Sequence, residues 1–190
     1  MPVTALDPKT ALIVVDLQKS VLGFPTVHPI SDVAKTASAL AVAFRRRRLP
    51  VILVNVAGGA SGRAEQSFAA PEPWPAEWTE FLPEIDKQPE DHVVTKYTWG
   101  AFRNTDLEDH LKKLGVTQVV IVGLATSIGV ESTARQAHEC GLNVTIAIDA
   151  VTDMNADAHV NSLARIFPML AETGTTQNIL NLLNQSHPKK

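Results

Sequence analysis

Cysteine is nearly absent from this sequence, since its 190 residues include one, Cys140. A single cysteine cannot form an internal disulfide, so the fold cannot depend on such a cross-link. A chain of this length buries roughly 70% of the surface that its unfolded form exposes, which suffices for one hydrophobic core. We therefore expect one domain over residues 1–190. The single cysteine favours a reducing compartment, so we expect a cytoplasmic protein.

Long apolar runs and a strong surplus of either charge are also missing. The apolar runs are short, far below the roughly 20 residues that span a bilayer. The formal net charge is −3, and the basic cluster Arg45–Arg48 lies at the predicted end of a helix. Cations at that position favour the negative end of the helix dipole, so the cluster does not indicate a phosphate-binding surface. We expect no membrane span, no secretory leader and no nucleic-acid partner.

Short apolar segments rich in β-branched residues alternate with helical patterns along the chain. Apolar segments without polar alternation are typical of strands buried on both faces of a parallel sheet. Five such segments are clear and a sixth is short, at residues 10–16, 50–56, 92–95, 117–122, 143–148 and 171–173. The helical patterns cover residues 30–47, 104–114, 128–140, 156–170 and 176–183. This alternation predicts an α/β fold with helices on both faces of a mainly parallel sheet.

Residues 57–91 interrupt this alternation with a long, proline-rich irregular segment. The segment leaves the end of a predicted strand, so it can reach over a site at that edge of the sheet. Trp74 and Trp78 lie within it, and they either anchor the segment to the domain or belong to a lid or a subunit contact. Residues 186–190 are expected to form a frayed tail.

Polar residues stand where the predicted strands end, which is where open parallel sheets bind ligands. The first strand ends in Asp16 and the third in Lys96, while the fourth leads into a helix at Gly129. A carboxyl group, an ammonium group and a helix start that converge could move protons at a small-molecule site. Each residue also has a structural explanation, because strand-end aspartates often cap turns and most lysines are solvated.

Further candidates for substrate contacts flank these strand ends. Their aromatic members could line an apolar pocket, or they could be ordinary packing residues. The substrate-binding candidates are Gln18, Phe24, Tyr97, Trp99, Ala125, Thr126 and Ser127. Arg63 and Arg103 are candidates for holding a substrate carboxylate. The six histidines show no metal-ligand spacing, so we expect neither a metal nor another cofactor.

Four segments of the chain resemble the isochorismatase-like hydrolases, also called the cysteine hydrolase family. They are TALIVVDLQ at 10–18, VVTKYTWGAFRNTDL at 93–107, VIVGLATSIGVESTARQAHECGLNVTIAIDAVTD at 120–153, and RIFPMLAETGTT at 165–176. The resemblance implies a three-layer α/β/α domain whose six-stranded, mainly parallel sheet is flanked by helices. It also implies a homodimer or a higher homo-oligomer, and a cis peptide between Leu124 and Ala125.

The resemblance assigns the family's catalytic aspartate to Asp16 and its lysine to Lys96. The nucleophilic cysteine falls on Gly129, which has no side chain. Cys140 lies eleven positions further along the predicted helix, about 16 Å away at about 1.5 Å per residue, so we interpret it as a packing residue. Amide hydrolysis would then require Ser127 or Thr126 as the nucleophile, and neither has an evident histidine base.

True isochorismatases are similar to this chain in carrying glycine at that position, and they hydrolyse a vinyl ether without a nucleophilic side chain. The resemblance implies that Asp16 acts as a general acid with a pKa raised by burial. Lys96 would stabilise negative charge or hold a substrate carboxylate. The prediction is a small-molecule hydrolase of this kind. The alternative is a catalytically silent relative that binds a small ligand or serves as an assembly partner.

Overall fold

The computed structural model describes residues 2–60, 62–65 and 74–186. Within these residues six parallel strands form one sheet in the order β3-β2-β1-β4-β5-β6. The strands are β1 Thr10–Val15, β2 Val51–Val56, β3 His92–Lys96, β4 Gln118–Leu124, β5 Asn143–Thr152 and β6 Glu172–Gly174. The predicted α/β fold is therefore confirmed. No helix in these ranges is long and apolar enough to cross a membrane.

Helices cover both faces of this sheet and complete the three layers. They are α1 Ile30–Arg45, α2 Leu107–Leu114, α3 Glu131–Glu139, α4 Ala156–Asn161 and α5 Thr176–Ser186. The apolar stripes of α1 and α5 pack on one face, whereas those of α2 and α3 pack on the other. Every residue of β1 and β4 is buried between these layers, which explains why their sequences are apolar without alternation.

Several predicted helices have different bounds in the structure, and α3 begins at Glu131 and not at Ile128. The pattern at residues 156–170 is not one helix, because α4 is followed by a π-type turn, Ser162–Ile166, and a 3₁₀ helix, Phe167–Met169. Pro168 lies in that last turn and has no N–H to continue an α-helix. α2 begins three residues later than predicted, since Asn104 adopts a left-handed φ of 58° that a helix excludes.

The interpretation of Cys140 as a packing residue is wrong, because its side chain is exposed. The regular helix α3 ends at Glu139, and Cys140 caps it. Gly141 follows with a left-handed φ of 80° and turns the chain into β5. The thiol therefore lies beyond the apolar stripe that α3 presents to the sheet.

The later part of the irregular segment is tied to the sheet. It forms two short 3₁₀ helices, Ala76–Thr79 and Pro83–Ile85. The buried amide of Gln18 donates a hydrogen bond of 2.8 Å to the Trp78 carbonyl, and the Trp78 ring meets that of Trp74 edge to face at 5.6 Å. The backbone of Trp78 thus ties this part of the segment to the sheet, whereas the rings of Trp74 and Trp78 contact each other. The lid alternative for residues 57–91 includes residues 61 and 66–73, which lie outside the described residues. Of the tail expected at 186–190, Ser186 still belongs to α5, and residues 187–190 lie outside the described residues.

A buried ion pair fastens the end of this segment to α1. Arg45 donates from Nε to Asp91 Oδ1 at 2.9 Å and from Nη2 to Oδ2 at 2.6 Å. The Asp91 side chain is 0% exposed and that of Arg45 is 10% exposed. The Gln88 N–H also donates to Asp91. The first arginine of the basic cluster thus has a structural role, and its charge depends on Asp91 for compensation.

Replacing Asp91 by alanine is expected to lower the free energy of unfolding by about 3–5 kcal/mol. The variant leaves the Arg45 guanidinium buried without its carboxylate, and an uncompensated buried charge is costly. Urea unfolding followed by circular dichroism measures the loss. Asp32→Ala is the control, because Asp32 pairs with Lys35 on the surface and its loss should change little. Equal stability of the two variants would contradict the prediction.

Candidate active site

The carboxyl ends of β1 and β4 form a crevice at the centre of the sheet. From β1 the sheet continues through β2 and β3 on one side, and from β4 it continues through β5 and β6 on the other. Open α/β sheets bind ligands at such a switch point in strand order. Gly123 of β4 pairs with Val15 of β1. Gly123 has a φ of 121°, and a Cβ there would lie 2.0 Å from the Val15 carbonyl oxygen. Glycine therefore allows the two strands to close together directly beneath the crevice.

Asp16 and Lys96 meet at this crevice although they are 80 positions apart in sequence. Lys96 Nζ donates to Asp16 Oδ2 at 2.7 Å and to the Thr98 carbonyl at 3.2 Å. The lysine comes from β3, two strands away from β1, so its long side chain spans the end of β2 to reach the carboxyl group. The side chains of Lys96 and Asp16 are 2% and 10% exposed.

Burial controls the protonation of Asp16. Desolvation raises the pKa of its carboxyl group from 3.8 to about 6, while the charge and hydrogen bond of Lys96 act in the opposite direction. Asp16 Oδ1 is buried and has no hydrogen-bond partner among the described residues. Because Oδ2 accepts from Lys96, Oδ1 is the oxygen that carries the proton when the carboxyl group is neutral. The arrangement can therefore supply a proton close to neutral pH.

Gly129 lies against the same carboxyl group. It belongs to a π-type turn, Thr126–Val130, between β4 and α3. A Cβ at this position would lie 3.1 Å from Asp16 Oδ2 and 2.9 Å from the Leu124 carbonyl oxygen. The structure thus brings together the three positions that the resemblance marks as catalytic. The peptide bond before this turn, Leu124–Ala125, is cis, as the resemblance implies.

Two loop residues predicted to bind substrate make hydrogen bonds within the protein. Thr126 Oγ1 lies 2.8 Å from His159 Nδ1. Ser127 donates its N–H and its hydroxyl to Asp153 Oδ2, at 2.7 and 2.8 Å. The expectation that neither hydroxyl has a histidine partner is wrong for Thr126. Its partner comes from α4, 33 positions later in the chain, and spacing alone could not reveal it.

Sequence reasoning missed Asp153 because it ended the fifth strand too early. β5 continues to Thr152, so the carboxylate at its end is Asp153 and not Asp149. Asp149 instead accepts hydrogen bonds from the backbone N–H and the hydroxyl of Thr176, at 2.7 and 2.9 Å. The usable signal was the continuation of apolar and β-branched residues through 150–152.

The remaining substrate-binding candidates lie in different environments. Gln18 is buried, and its amide bonds the backbone of β2 and of Trp78, so it is committed to holding the fold. Phe24 packs against the core beneath α1, and Ala125 is buried. Tyr97 and Trp99, which follow Lys96 directly, are 60% and 66% exposed. Both therefore present aromatic surface to solvent in the segment that follows β3.

Cavities occur elsewhere in the domain. One of about 460 Å³ lies at the amino ends of β4 and β5, where Gln118 and Asn143 line it. Another of about 450 Å³ lies beside β2 and is lined by Asn55 and Lys87. Neither is lined by the side chains that meet at the crevice. Within the described residues, no cluster of histidine, cysteine, aspartate and glutamate could hold a metal ion, and Arg63 and Arg103 are exposed.

Comparison with known proteins gives consistent matches over most of the chain. The family model of the isochorismatase domain matches residues 10–178. The uncharacterised isochorismatase family protein YecD of Escherichia coli O157:H7 is 40% identical over 181 residues, covering 92% of this chain and 96% of that protein. YwoC of Bacillus subtilis (strain 168), also an uncharacterised isochorismatase family protein, is 38% identical over 178 residues, covering 90% and 93%. The structure of an isochorismatase family protein from Burkholderia thailandensis aligns with a TM-score of 0.88 and 39% identity, covering 95% and 98%.

Proposed function

Because the chain belongs to the isochorismatase family, we propose that it hydrolyses a small molecule with Asp16 as the general acid and without a cysteine nucleophile. In this proposal Gly129 occupies the position of the family's cysteine. The observation that carries it is the enclosed pair of Asp16 and Lys96, 2.7 Å apart, with a carboxyl pKa raised to about 6. YecD and YwoC are described as uncharacterised, so the substrate must be argued from the chemistry of the pair.

A vinyl ether is the substrate class that fits an acid without a nucleophile. Asp16 Oδ1 transfers its proton to the terminal methylene carbon, and the ether oxygen supplies the electrons that make the other carbon an oxocarbenium ion. Water adds to that carbon and loses a proton, which gives a hemiketal. The hemiketal collapses to a ketone and an alcohol, so an enolpyruvyl ether yields pyruvate. No step requires a bond between substrate and protein.

Lys96 lowers the barrier of the proton transfer through its position. When Asp16 gives up its proton, a carboxylate forms in a desolvated site, and that alone would be unfavourable. The ammonium group of Lys96 already lies 2.7 Å from Oδ2, so the new negative charge forms beside a fixed positive one. Such preorganised charge stabilises a transition state more than water does, because it need not reorient.

The substrate must reach an oxygen that is buried. Side chains around Asp16 Oδ1 therefore have to move before a methylene carbon can approach it. The proposed route passes Tyr97 and Trp99, because they follow Lys96 directly and expose large aromatic surfaces. In this proposal their rings contact the apolar part of the substrate, and the site is completed when the substrate binds.

An isotope experiment tests the proposed reaction directly. Purified protein is incubated in D₂O with isochorismate and a panel of neutral, monocarboxylate and dicarboxylate enol ethers. Protonation at carbon places one deuterium from solvent in the methyl group of the ketone product, which NMR or mass spectrometry detects. Deuterium-free ketone, or no turnover of any enol ether, would contradict the proposal. Simple amides serve as the control class, because their hydrolysis would indicate a nucleophile instead.

A second function is favoured by the enclosure of Asp16 Oδ1, since a site closed to substrate is also what a silent relative would show. In this alternative the chain binds a small ligand, or assembles with other copies of itself through surfaces such as Tyr97 and Trp99. A homodimer or higher homo-oligomer is part of both proposals, and light scattering measures it. Thermal-shift screening separates them, because a silent relative is stabilised by a ligand that is recovered unchanged.

A further inference from the structure

We propose that His159 is a positioning residue that holds the turn facing Asp16, with the Thr126 hydroxyl as its partner and not as a nucleophile. The proposal rests on the function proposed above, because it concerns the surroundings of the same acid. Thr126 directly follows the cis peptide bond Leu124–Ala125. Gly129 is three positions later, and a Cβ on it would lie 3.1 Å from Asp16 Oδ2. Contacts that hold Thr126 in place therefore also hold the turn Thr126–Val130, which forms one wall of the site.

His159 is placed for this role by contacts from three segments. α4 carries it, and the Asn155 side chain caps that helix through the Ala158 N–H. The imidazole Nδ1 lies 2.8 Å from Thr126 Oγ1. The ring of His28 meets it edge to face at 5.3 Å, and the His28 N–H in turn donates to the Thr152 hydroxyl. The imidazole is thus held between the chain segments that follow β1, β4 and β5.

Asp153 holds the same turn through Ser127, the residue that follows Thr126. Its Oδ2 accepts both the N–H and the hydroxyl of Ser127, and its Oδ1 accepts the Asn155 N–H. Two consecutive residues of the turn are therefore held: Thr126 by His159 of α4, and Ser127 by Asp153 of the connection that precedes α4. On the far side of the turn, the Thr133 hydroxyl donates to the Gly129 carbonyl at 2.7 Å. The turn is fastened on both sides, and Asp16 lies next to Gly129 at its later end.

A hydroxyl within 2.8 Å of an imidazole also resembles a nucleophile with its base. Burial is shared with Asp16 Oδ1, so covalent trapping on Thr126 is the measurement that separates the two roles. Thr126 is 0% exposed and His159 is 4% exposed, so neither the oxygen nor the ring faces solvent. Burial, together with the neighbouring His28, lowers the pKa of His159, while Asp153 acts in the opposite direction. At neutral pH the ring is therefore uncharged and forms one hydrogen bond with the Thr126 hydroxyl. A permanent bond of this kind suits a structural attachment.

Loosening this attachment should change Asp16 before it changes the rest of the fold. If the turn moves away, water reaches the carboxyl group and the desolvation that raises its pKa decreases. The pKa of Asp16 should then fall from about 6 toward its ordinary value. Turnover should fall roughly 10-fold through kcat, with KM nearly unchanged, because misplacement of a wall affects the reaction geometry. A purely structural role would lower stability and leave the pKa of Asp16 where it is.

The test uses four variants and a readout that needs no substrate. Thr126→Val and His159→Leu remove the hydrogen bond from either side, and the double variant combines them. His159→Asn keeps a polar group close to the position of Nδ1. Selective ¹³C labelling of aspartate and a pH titration by NMR give the pKa of Asp16 in each. His138→Leu is the matched control, since the same substitution is made at an exposed histidine on α3.

We expect Thr126→Val, His159→Leu and the double variant to lower the pKa of Asp16 by similar amounts, because all three break one bond. In His159→Asn the pKa of Asp16 should stay close to that of the unmodified protein, and in His138→Leu it should not change. An unchanged pKa of Asp16 in folded Thr126→Val would overturn the proposal, even if His159→Leu fails to fold. A covalent adduct trapped on Thr126 would overturn it in favour of a nucleophile. If the pKa shifts but no enol ether is ever turned over, the proposed function fails while the positioning role stands.

Discussion

Replacing Asp16 by asparagine is expected to lower kcat/KM roughly 10²–10⁴-fold, which is the usual contribution of a general acid. The amide has nearly the same shape, so it should preserve the packing around Gly129. It cannot transfer a proton to carbon, and it leaves Lys96 without the carboxylate that it binds at 2.7 Å. Initial rates with the best enol ether of the panel measure the loss.

The pH dependence gives this prediction a second signature. The acid works in its protonated form, so kcat/KM should fall as the pH rises through about 6, the raised pKa of Asp16. Substrates without titrating groups must be used, so that the profile reports the free enzyme. Residual activity of Asp16→Asn should lack this limb. Full activity of the variant, or a rate that rises with pH through this range, would contradict a general-acid role.

The pH dependence of the free energy of unfolding should report the raised pKa of Asp16 without any substrate. Its pKa is higher in the folded state than in the unfolded state, so between pH 4 and 6 the folded protein binds more protons. Stability that is present below pH 4 is therefore lost as the pH rises through about 6. The loss approaches about 3 kcal/mol, at about 1.4 kcal/mol for each pKa unit. Asp16→Asn should lack this part of the pH dependence, and urea unfolding at pH 4 and pH 7 measures the difference.

The order of strands and helices was accessible from sequence because burial on two faces leaves a simple pattern. Residues 11–15 and 119–122 are apolar throughout, and both segments belong to central strands of the sheet. What the pattern could not give was where regular structure stops. The length of β5 and the interruption after α4 depend on contacts with other segments, which local sequence does not encode.

The meeting of Asp16 with Lys96 could be expected from the strand ends, but its electrostatics could not. Asp16 adopts a left-handed φ of 53°, and no feature of its neighbours in sequence announces that conformation. The raised pKa arises because surrounding segments exclude water from the carboxyl group. His159 was missed for a similar reason, since its partner Thr126 lies 33 positions away and an isolated histidine gives no spacing to interpret.

Gly129 is the position where sequence and structure lead to different expectations. From sequence alone, Gly129→Ala should only blunt an acid-catalysed reaction, because glycine contributes no chemical group. In the structure, however, the backbone of the turn has settled against Asp16. The space that a Cβ would need is bounded by the carboxyl oxygen at 3.1 Å and by the Leu124 carbonyl oxygen at 2.9 Å. Either the acid or the backbone must move to admit one methyl group.

Gly129→Ala is therefore expected to lower turnover by about 10-fold. The Cβ makes the neighbouring oxygens shift by a few tenths of an ångström, and a misplacement of about 1 Å costs about 10²-fold. Overpacking should also lower the free energy of unfolding by about 1–3 kcal/mol. Steady-state kinetics and urea unfolding measure the two effects. Gly59→Ala is the matched control, since a Cβ at Gly59 meets nothing within 4 Å and its φ is not in the left-handed region.

The same geometry predicts that Gly129→Cys does not create an amide hydrolase. Its Cβ would face the same two oxygens, so the thiol is accommodated only if Asp16 or the backbone of the turn moves. Either movement disturbs the pairing of the thiol with the carboxyl group that a cysteine nucleophile would need beside it. We expect a loss of vinyl ether hydrolysis similar to that of Gly129→Ala, with no acyl-enzyme detectable by mass spectrometry after incubation with amides. Rapid amide hydrolysis by this variant would show that the turn adapts to a side chain. The glycine would then be a simple deletion of the nucleophile, and the close packing against Asp16 would have no catalytic meaning.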